Sequence, residues 1–247
     1  MHVTVDHRAL FKAHLLCIFS LVLIYAALNA FSLASGHRNL LGLLALFNLD
    51  GEHNAPALFS FVALLFAAVI AWSTGTIQQN RGIPFGRHWH ALAGLLFYLA
   101  ADEACEIHEN ISIVLRTHYE LFGRWQHSWV LAYAMALAVL GTLFIPFLRR
   151  LPRDTCWEMI GAGGLFVAGG MGIEFLWGLL DETLSSIPVA ADLFEVAVEE
   201  SAEMLGVALL IRAVLKYATR IQHAPLLGTA TPVDAHPVTP DDALGDV

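Results

Sequence analysis

Tyr98-Leu-Ala-Ala-Asp-Glu-Ala-Cys-Glu-Ile-His-Glu-Asn-Ile-Ser112 is the stretch on which the reading of the whole chain turns. Apolar sequence leads into it from about Ala91 and resumes through Val114. Asp102, Glu103, Glu106, His108 and Glu109 therefore fall inside one run of membrane-spanning length. An ionised side chain at the centre of an inserting helix costs about 2.5–3.5 kcal/mol, so such residues face a cavity, a partner or a metal rather than lipid.

The surrounding composition says that the run belongs in a membrane. Of 247 residues, 57% are hydrophobic and 14% charged, and the mean hydropathy is +0.63. Soluble domains carry about 25% charged residues. Stretches long enough to cross a bilayer, about 20 residues each, occur at 13–34, 56–74, 90–114, 128–148, 157–180 and 194–217. The expected fold is an all-α polytopic membrane bundle of six transmembrane helices over 1–221. The tail, 222–247, holds Pro225, Pro232, Pro237 and Pro240 and four Asp, and is expected to be a disordered cytoplasmic extension. The first span follows Arg8 and Lys12 and exceeds the usual length of a cleaved signal's apolar core, so an uncleaved signal anchor is expected.

Lys and Arg set the orientation. The N-terminus, the second and fourth loops and the C-terminal flank carry ten, against Arg38, Arg116 and Arg124 in the other loops. Both termini are thus expected in the cytoplasm, with the protein in the cell inner (plasma) membrane. A formal net charge of −9 leaves no basic stripe for phosphates, which excludes nucleic acid as a partner. The three cysteines are too scattered for a disulfide framework or a Cys-x-x-Cys site, and Cys17 and Cys105 read as packing residues.

Two further spans carry acids: Glu174 and Asp181 in the fifth, and Glu195, Glu199, Glu200 and Glu203 in the sixth. At 100° per residue Glu195, Glu199 and Glu203 form one stripe, as Asp102, Glu106 and Glu109 do in the third. Helical rise places Glu109, Glu106 and Asp102 about 6, 10 and 16 Å below the outer surface. Glu174 falls at about 10 Å, and Glu199 and Glu203 at about 10 and 16 Å. Three helices so bring acids to one depth in the outer half. No Lys or Arg inside the spans can pair with them, which leaves bound cations, shared protons or a wet cavity.

The first outer loop, Asn48-Leu-Asp-Gly-Glu-His-Asn-Ala-Pro56, adds Asp50, Glu52 and His53 on the same side. Asn54 and Pro56 suit the cap and first turn of the next helix. His118 and His127 are outer loop residues, whereas His88 and His90 lie on the cytoplasmic side, away from the acids. The glycines of the fifth span, from Gly161 to Gly178, suit close helix packing.

Together, Leu49-Asp-Gly-Glu-His-Asn-Ala-Pro56, Asp102-Glu-x4-His108-Glu109 and Glu199-Glu200-x-x-Glu203-Met-Leu-Gly206 resemble a family of uncharacterised six-span bacterial membrane proteins. That resemblance implies the topology and the choice of residues, and no activity. Ferritin-like di-iron bundles, which use Glu-x-x-His, are not matched, because that motif is absent here. Nucleophile elbows, Walker loops, His-Glu-x-x-His helices and the histidine boxes of membrane desaturases are absent as well.

Two functions remain. The first is a membrane-embedded enzyme, a hydrolase or oxidoreductase acting from the outer side on a lipid-type or small-molecule substrate. Its divalent metal (Fe, Mn, Zn or Ca) would be held by Glu52, Glu103, His108, Glu109, Glu199 and Glu203. Glu106 and Glu174 would serve as catalytic bases. The alternative is a proton- or cation-coupled transporter using the same acids as its ion site. Beyond these, membrane lipids are the only partners implied.

Overall fold

Residues 6–37, 39–119, 129–184 and 187–223 are described by the computed structural model. The expected disordered tail from 222 lies almost wholly outside them, as do Arg38, Arg124 and His127 and the side chains of Arg116, His118 and Asp181.

Local sequence explains where the helices begin and end. Asp6 caps the first, α1 (His7–Ser35), by accepting from the Arg8 amide at 2.8 Å, and Gly36 ends it with a φ of 72°. A single 3-10 turn, Leu40–Gly42, leads into the short α2 (Leu43–Leu46). Asn54 caps α3 (Ala55–Asn80) through the Ala57 amide at 3.1 Å, with Pro56 in the first turn as its sequence predicts. Then follow α4 (Gly86–Cys105), α5 (Ile107–Tyr119), α6 (Trp129–Leu148) and α7 (Arg153–Val167). A π-helical turn, Ala168–Ile173, joins α7 to α8 (Glu174–Thr183), and α9 (Val189–His223) closes the chain.

All regular structure among the described residues is helical. His7–Ser35, Ala55–Asn80, Trp129–Leu148 and Arg153–Leu180 are long and apolar enough to cross a membrane. The two other expected spans are those loaded with acids, α4–α5 and α9. The third span also differs in shape from the continuous helix expected over 90–114. It breaks at Glu106, which takes a left-handed conformation (φ 53°, ψ 42°) between α4 and α5. Such a conformation costs a non-glycine residue about 1–2 kcal/mol, and here tertiary contacts on both sides of the break hold it.

Small residues bring the helices together. A Cβ on Gly75 of α3 would lie 2.8 Å from the Gly86 carbonyl of α4, and one on Gly86 would lie 2.9 Å from the Gly75 carbonyl. At Gly206 of α9 a Cβ would come within 2.8 Å of the Phe166 amide of α7. The main core gathers Leu64, Trp89, Leu96, Phe147, Ile211 and Val214 between α3, α4, α7, α9 and the C-terminal end of α6. A second cluster, Ile18, Tyr25, Leu49, Met204 and Ala208, seats α1 against α9. Cys17 and Cys105 are exposed on helix surfaces rather than packed. His88 stacks on Phe147 and His90 lies against Trp72, both away from the acids.

Pro146 sits two residues before the end of α6, and Phe147 beside it is fully buried against Trp89. Thus α6 is fastened at its C-terminal tip, and most of its middle is exposed. That arrangement leaves space between α6 and the rest of the bundle, and the acids face this space.

Candidate metal centre

Three elements converge on the acids. The loop before α3 is folded on itself by Asn54, whose Nδ2 donates to the carbonyls of Asn48 at 2.7 Å and Gly51 at 2.6 Å. This turn carries Glu52 inward. Its Oε2 is buried with no hydrogen-bond partner. Burial pushes the Glu52 carboxyl up to about 7, against the opposing pull of His108.

The break at Glu106 turns His108 and Glu109 towards Glu52. Coordinating atoms of Glu52, His108 and Glu109 all lie within 4.8 Å of one another. Two ligands at 2.0–2.6 Å from one ion are at most about 4–5 Å apart, so the three fit one divalent cation with little movement.

Behind His108 stands a hydrogen-bonded relay. Asp102, only 6% exposed, accepts from the His108 backbone amide at 2.8 Å across the helix break, and its Oδ1 lies 3.2 Å from His108 Nδ1. With Nδ1 protonated towards that carboxylate, Nε2 keeps its lone pair for an ion, the usual second-layer arrangement of metal-bound histidines. Tyr133 donates to the other Asp102 oxygen at 3.0 Å, and the Tyr98 hydroxyl is 2.7 Å from that of Tyr133.

Trp129 knits this end of the bundle together. Its amide donates to Ser112 Oγ at 3.2 Å, its indole donates to Glu174 at 2.9 Å, and its ring lies 5.0 Å from that of His108. Trp177 likewise donates to Asp192 at 3.2 Å.

These groups line a cavity of about 1160 Å³. Glu103, Glu199, Glu200, Glu203, Glu174 and Glu195 are on its wall with Glu52, His108 and Glu109. The acids of the third, fifth and sixth expected spans thus share one space. Glu203 reaches it over the π-helical turn, where a Cβ on Gly170 would collide with the Glu203 carboxylate and one on Gly169 would lie 2.9 Å from the Glu199 carbonyl. Glu106 is placed elsewhere: it leaves the cavity wall and sits 3.2 Å from His53, another residue of positive φ.

Sequence reading did not single out Tyr98, Trp129, Tyr133, Trp177 or Asp192. Trp129 and Tyr133 are four residues apart and so share a face of α6, a spacing visible in the sequence. Aromatic residues near helix ends are equally the mark of a membrane interface, and nothing local separates the two.

No curated protein and no solved structure matches the chain. A family model, described as Domain of unknown function (DUF8692), matches residues 15–217, from within α1 to within α9, and the chain belongs to that family.

Proposed function

We propose that this is a six-span membrane enzyme with both termini in the cytoplasm, whose divalent metal ion is held by Glu52, His108 and Glu109 at the outer end of the bundle. The observation that carries the reading is the meeting of three coordinating groups within 4.8 Å, one of them Glu52 with a buried oxygen that has no partner. Oxygen ligands with one imidazole suit Mn, Fe, Zn or Ca. The ion would polarise an oxygen of a lipid-type substrate. Glu103, Glu199 and Glu203 fit a surrounding layer on the same cavity wall, and Glu174, tied to Trp129, is the acid best placed to take a proton.

The transporter reading needs a path to the other face. On the inner side the cavity ends at packed aromatics: Trp89 is fully buried, stacks on Tyr217 at 5.4 Å and meets Phe147 edge-on at 5.2 Å. This closure favours a site served from one side.

Elemental analysis of protein purified without chelator is the test. Near-stoichiometric divalent metal is expected, with occupancy falling at least tenfold in Glu52→Gln and His108→Ala, since each removes one of about three ligands. Metal-free wild type that keeps its fold and binds no added Mn, Fe, Zn or Ca sinks the proposal.

A further inference from the structure

The cavity changes character along its length. Beyond the acids its wall is apolar, made by Leu92, Leu96 and Leu99 of α4, Leu137 and Leu140 of α6 and Ile160 of α7. The α4 residues that line it run from Leu92 to Glu103, a rise of about 16 Å.

This apolar half is open at the side. Tyr98, Leu137 and Ile160 line the cavity and are 39%, 40% and 42% exposed. Gly163 and Gly164 of α7 line it too, and a Cβ on either would meet no atom within 4 Å. They contrast with Gly169, Gly170 and Gly206, where a Cβ would strike α9 or α7. The slot between α6 and α7 is therefore a vacant groove facing the bilayer and not a packed helix interface. It is kept open because, among the described residues, α6 is held near its two ends, by Trp129 and Tyr133 at one and Phe147 at the other, while most of its middle is exposed.

Charge selects what can lie there. Eleven carboxyl groups line the cavity, from Asp50 to Glu203, and among the described residues no lysine or arginine does. One divalent ion offsets two charges, and every further carboxylate that stays ionised repels a phosphate or carboxylate head. An ammonium head meets opposite charge, and Trp129, Tyr133 and Trp177 are on the same wall, where aromatic rings favour cations.

We propose that the cavity binds a long-chain amphiphile with a positively charged amine head, taken sideways from the bilayer. Its alkyl chain lies in the slot between α6 and α7, and its head lies among Glu103, Glu199, Glu200 and Glu203. This names the substrate class of the site proposed above and rests on that reading only for the chemistry that follows binding.

The test uses the full chain in phosphatidylcholine nanodiscs with two photoactivatable probes of equal chain length, a diazirine-bearing hexadecylamine and the matching hexadecanoic acid. Cross-linked peptides are mapped by mass spectrometry. The amine should label residues 134–141 and 159–166 saturably, about tenfold more than the acid, as expected for exchanging one like-charge contact for an opposite one. Gly163→Leu, which fills open space, should cut that labelling about fivefold, a change of about 1 kcal/mol in binding, with an unchanged unfolding midpoint. Equal labelling by amine and acid overturns the proposal. So does labelling spread evenly over α1 and α3, or labelling indifferent to Gly163→Leu. Metal content measured on the same samples separates the two readings. Saturable amine labelling of metal-free protein supports the lipid site while removing the metal, and metal-loaded protein without amine preference does the reverse.

Discussion

Asp102 is the residue through which the centre is assembled. It accepts the His108 amide, faces His108 Nδ1 and receives the Tyr133 hydroxyl, so it fixes the path of the helix break and the orientation of the imidazole together. Asp102→Asn keeps the size but loses the charge that holds the proton on Nδ1. Metal affinity should drop about 10–100-fold, the usual cost of removing such a support, with a smaller loss in Tyr133→Phe; titration of metal into chelator-stripped protein measures both. Glu52 gives the site its pH dependence. Its carboxyl, buried near His108, Glu106 and Glu109, is pushed up to about 7 in the metal-free protein. A proton therefore competes with the ion at neutral pH. Between pH 5 and 7 the Glu52 proton should contribute a rise in affinity of about tenfold per unit that then flattens, and Glu52→Gln should make the slope shallower by that one proton. Because the folded carboxyl holds its proton more tightly than the unfolded one, its stabilising contribution is complete below about 4.5 and lost as pH rises through about 7. Metal-free protein should lose unfolding midpoint over that window, and metal should restore it. A flat midpoint from pH 5 to 8 in both forms would contradict this account.

At the scale of helices, the decisive features are departures from regularity. A left-handed residue splits α4 from α5 at Glu106, and a π-helical turn at Ala168–Ile173 opens α7 to α9. Both lie against the acids, as irregular turns often do at functional sites. The all-helical class was legible in composition and apolar run length, and the acids announced themselves because hydrocarbon makes them costly. The break was not, because no glycine or proline marks it. Glu106 is held left-handed by bonds from residues on either side, which local propensity does not record. Likewise the glycine run of the fifth span signalled close packing but not which glycines pack. That distinction has a direct consequence. Gly206→Leu must push into the Phe166 backbone and should cost about 3 kcal/mol or more, because overpacking against backbone cannot relax by rotamer change. Gly161→Leu, with nothing within 4 Å of a Cβ, should stay within about 0.5 kcal/mol. Unfolding midpoints in detergent compare them, and equal losses would mean that α7 meets α9 differently.

Across the whole molecule, charge pairing divides the two ends. At one end of α9, Arg220 grips Asp154 through both oxygens at 3.1 and 2.8 Å, and Lys216 bridges Glu158 at 2.7 Å and Asp154 at 3.3 Å. These exposed pairs are worth little individually, but they leave that end balanced. At the other end, Glu195 to Glu203 face a cavity that, among the described residues, no lysine or arginine lines. Glu199 and Lys216 are separated by about 26 Å of helix, close to the hydrocarbon thickness of a bilayer. In the proposed orientation, with the basic end in the cytoplasm by the loop count, the metal centre would face outward and meet substrate and metal from outside the cell. Cysteine labelling checks the assignment in a background lacking Cys17, Cys105 and Cys156. His53→Cys replaces a side chain that is 70% exposed beside the centre, and it should react with an impermeant thiol reagent on intact cells, or on spheroplasts where an outer membrane intervenes. Arg150→Cys, exposed after α6, should react only once the membrane is permeabilised. The reverse pattern would turn the bundle over. The acids would still share one cavity, since inversion preserves every internal distance, but the centre would then draw on cytoplasmic metal and its substrate would have to be sought in the inner leaflet.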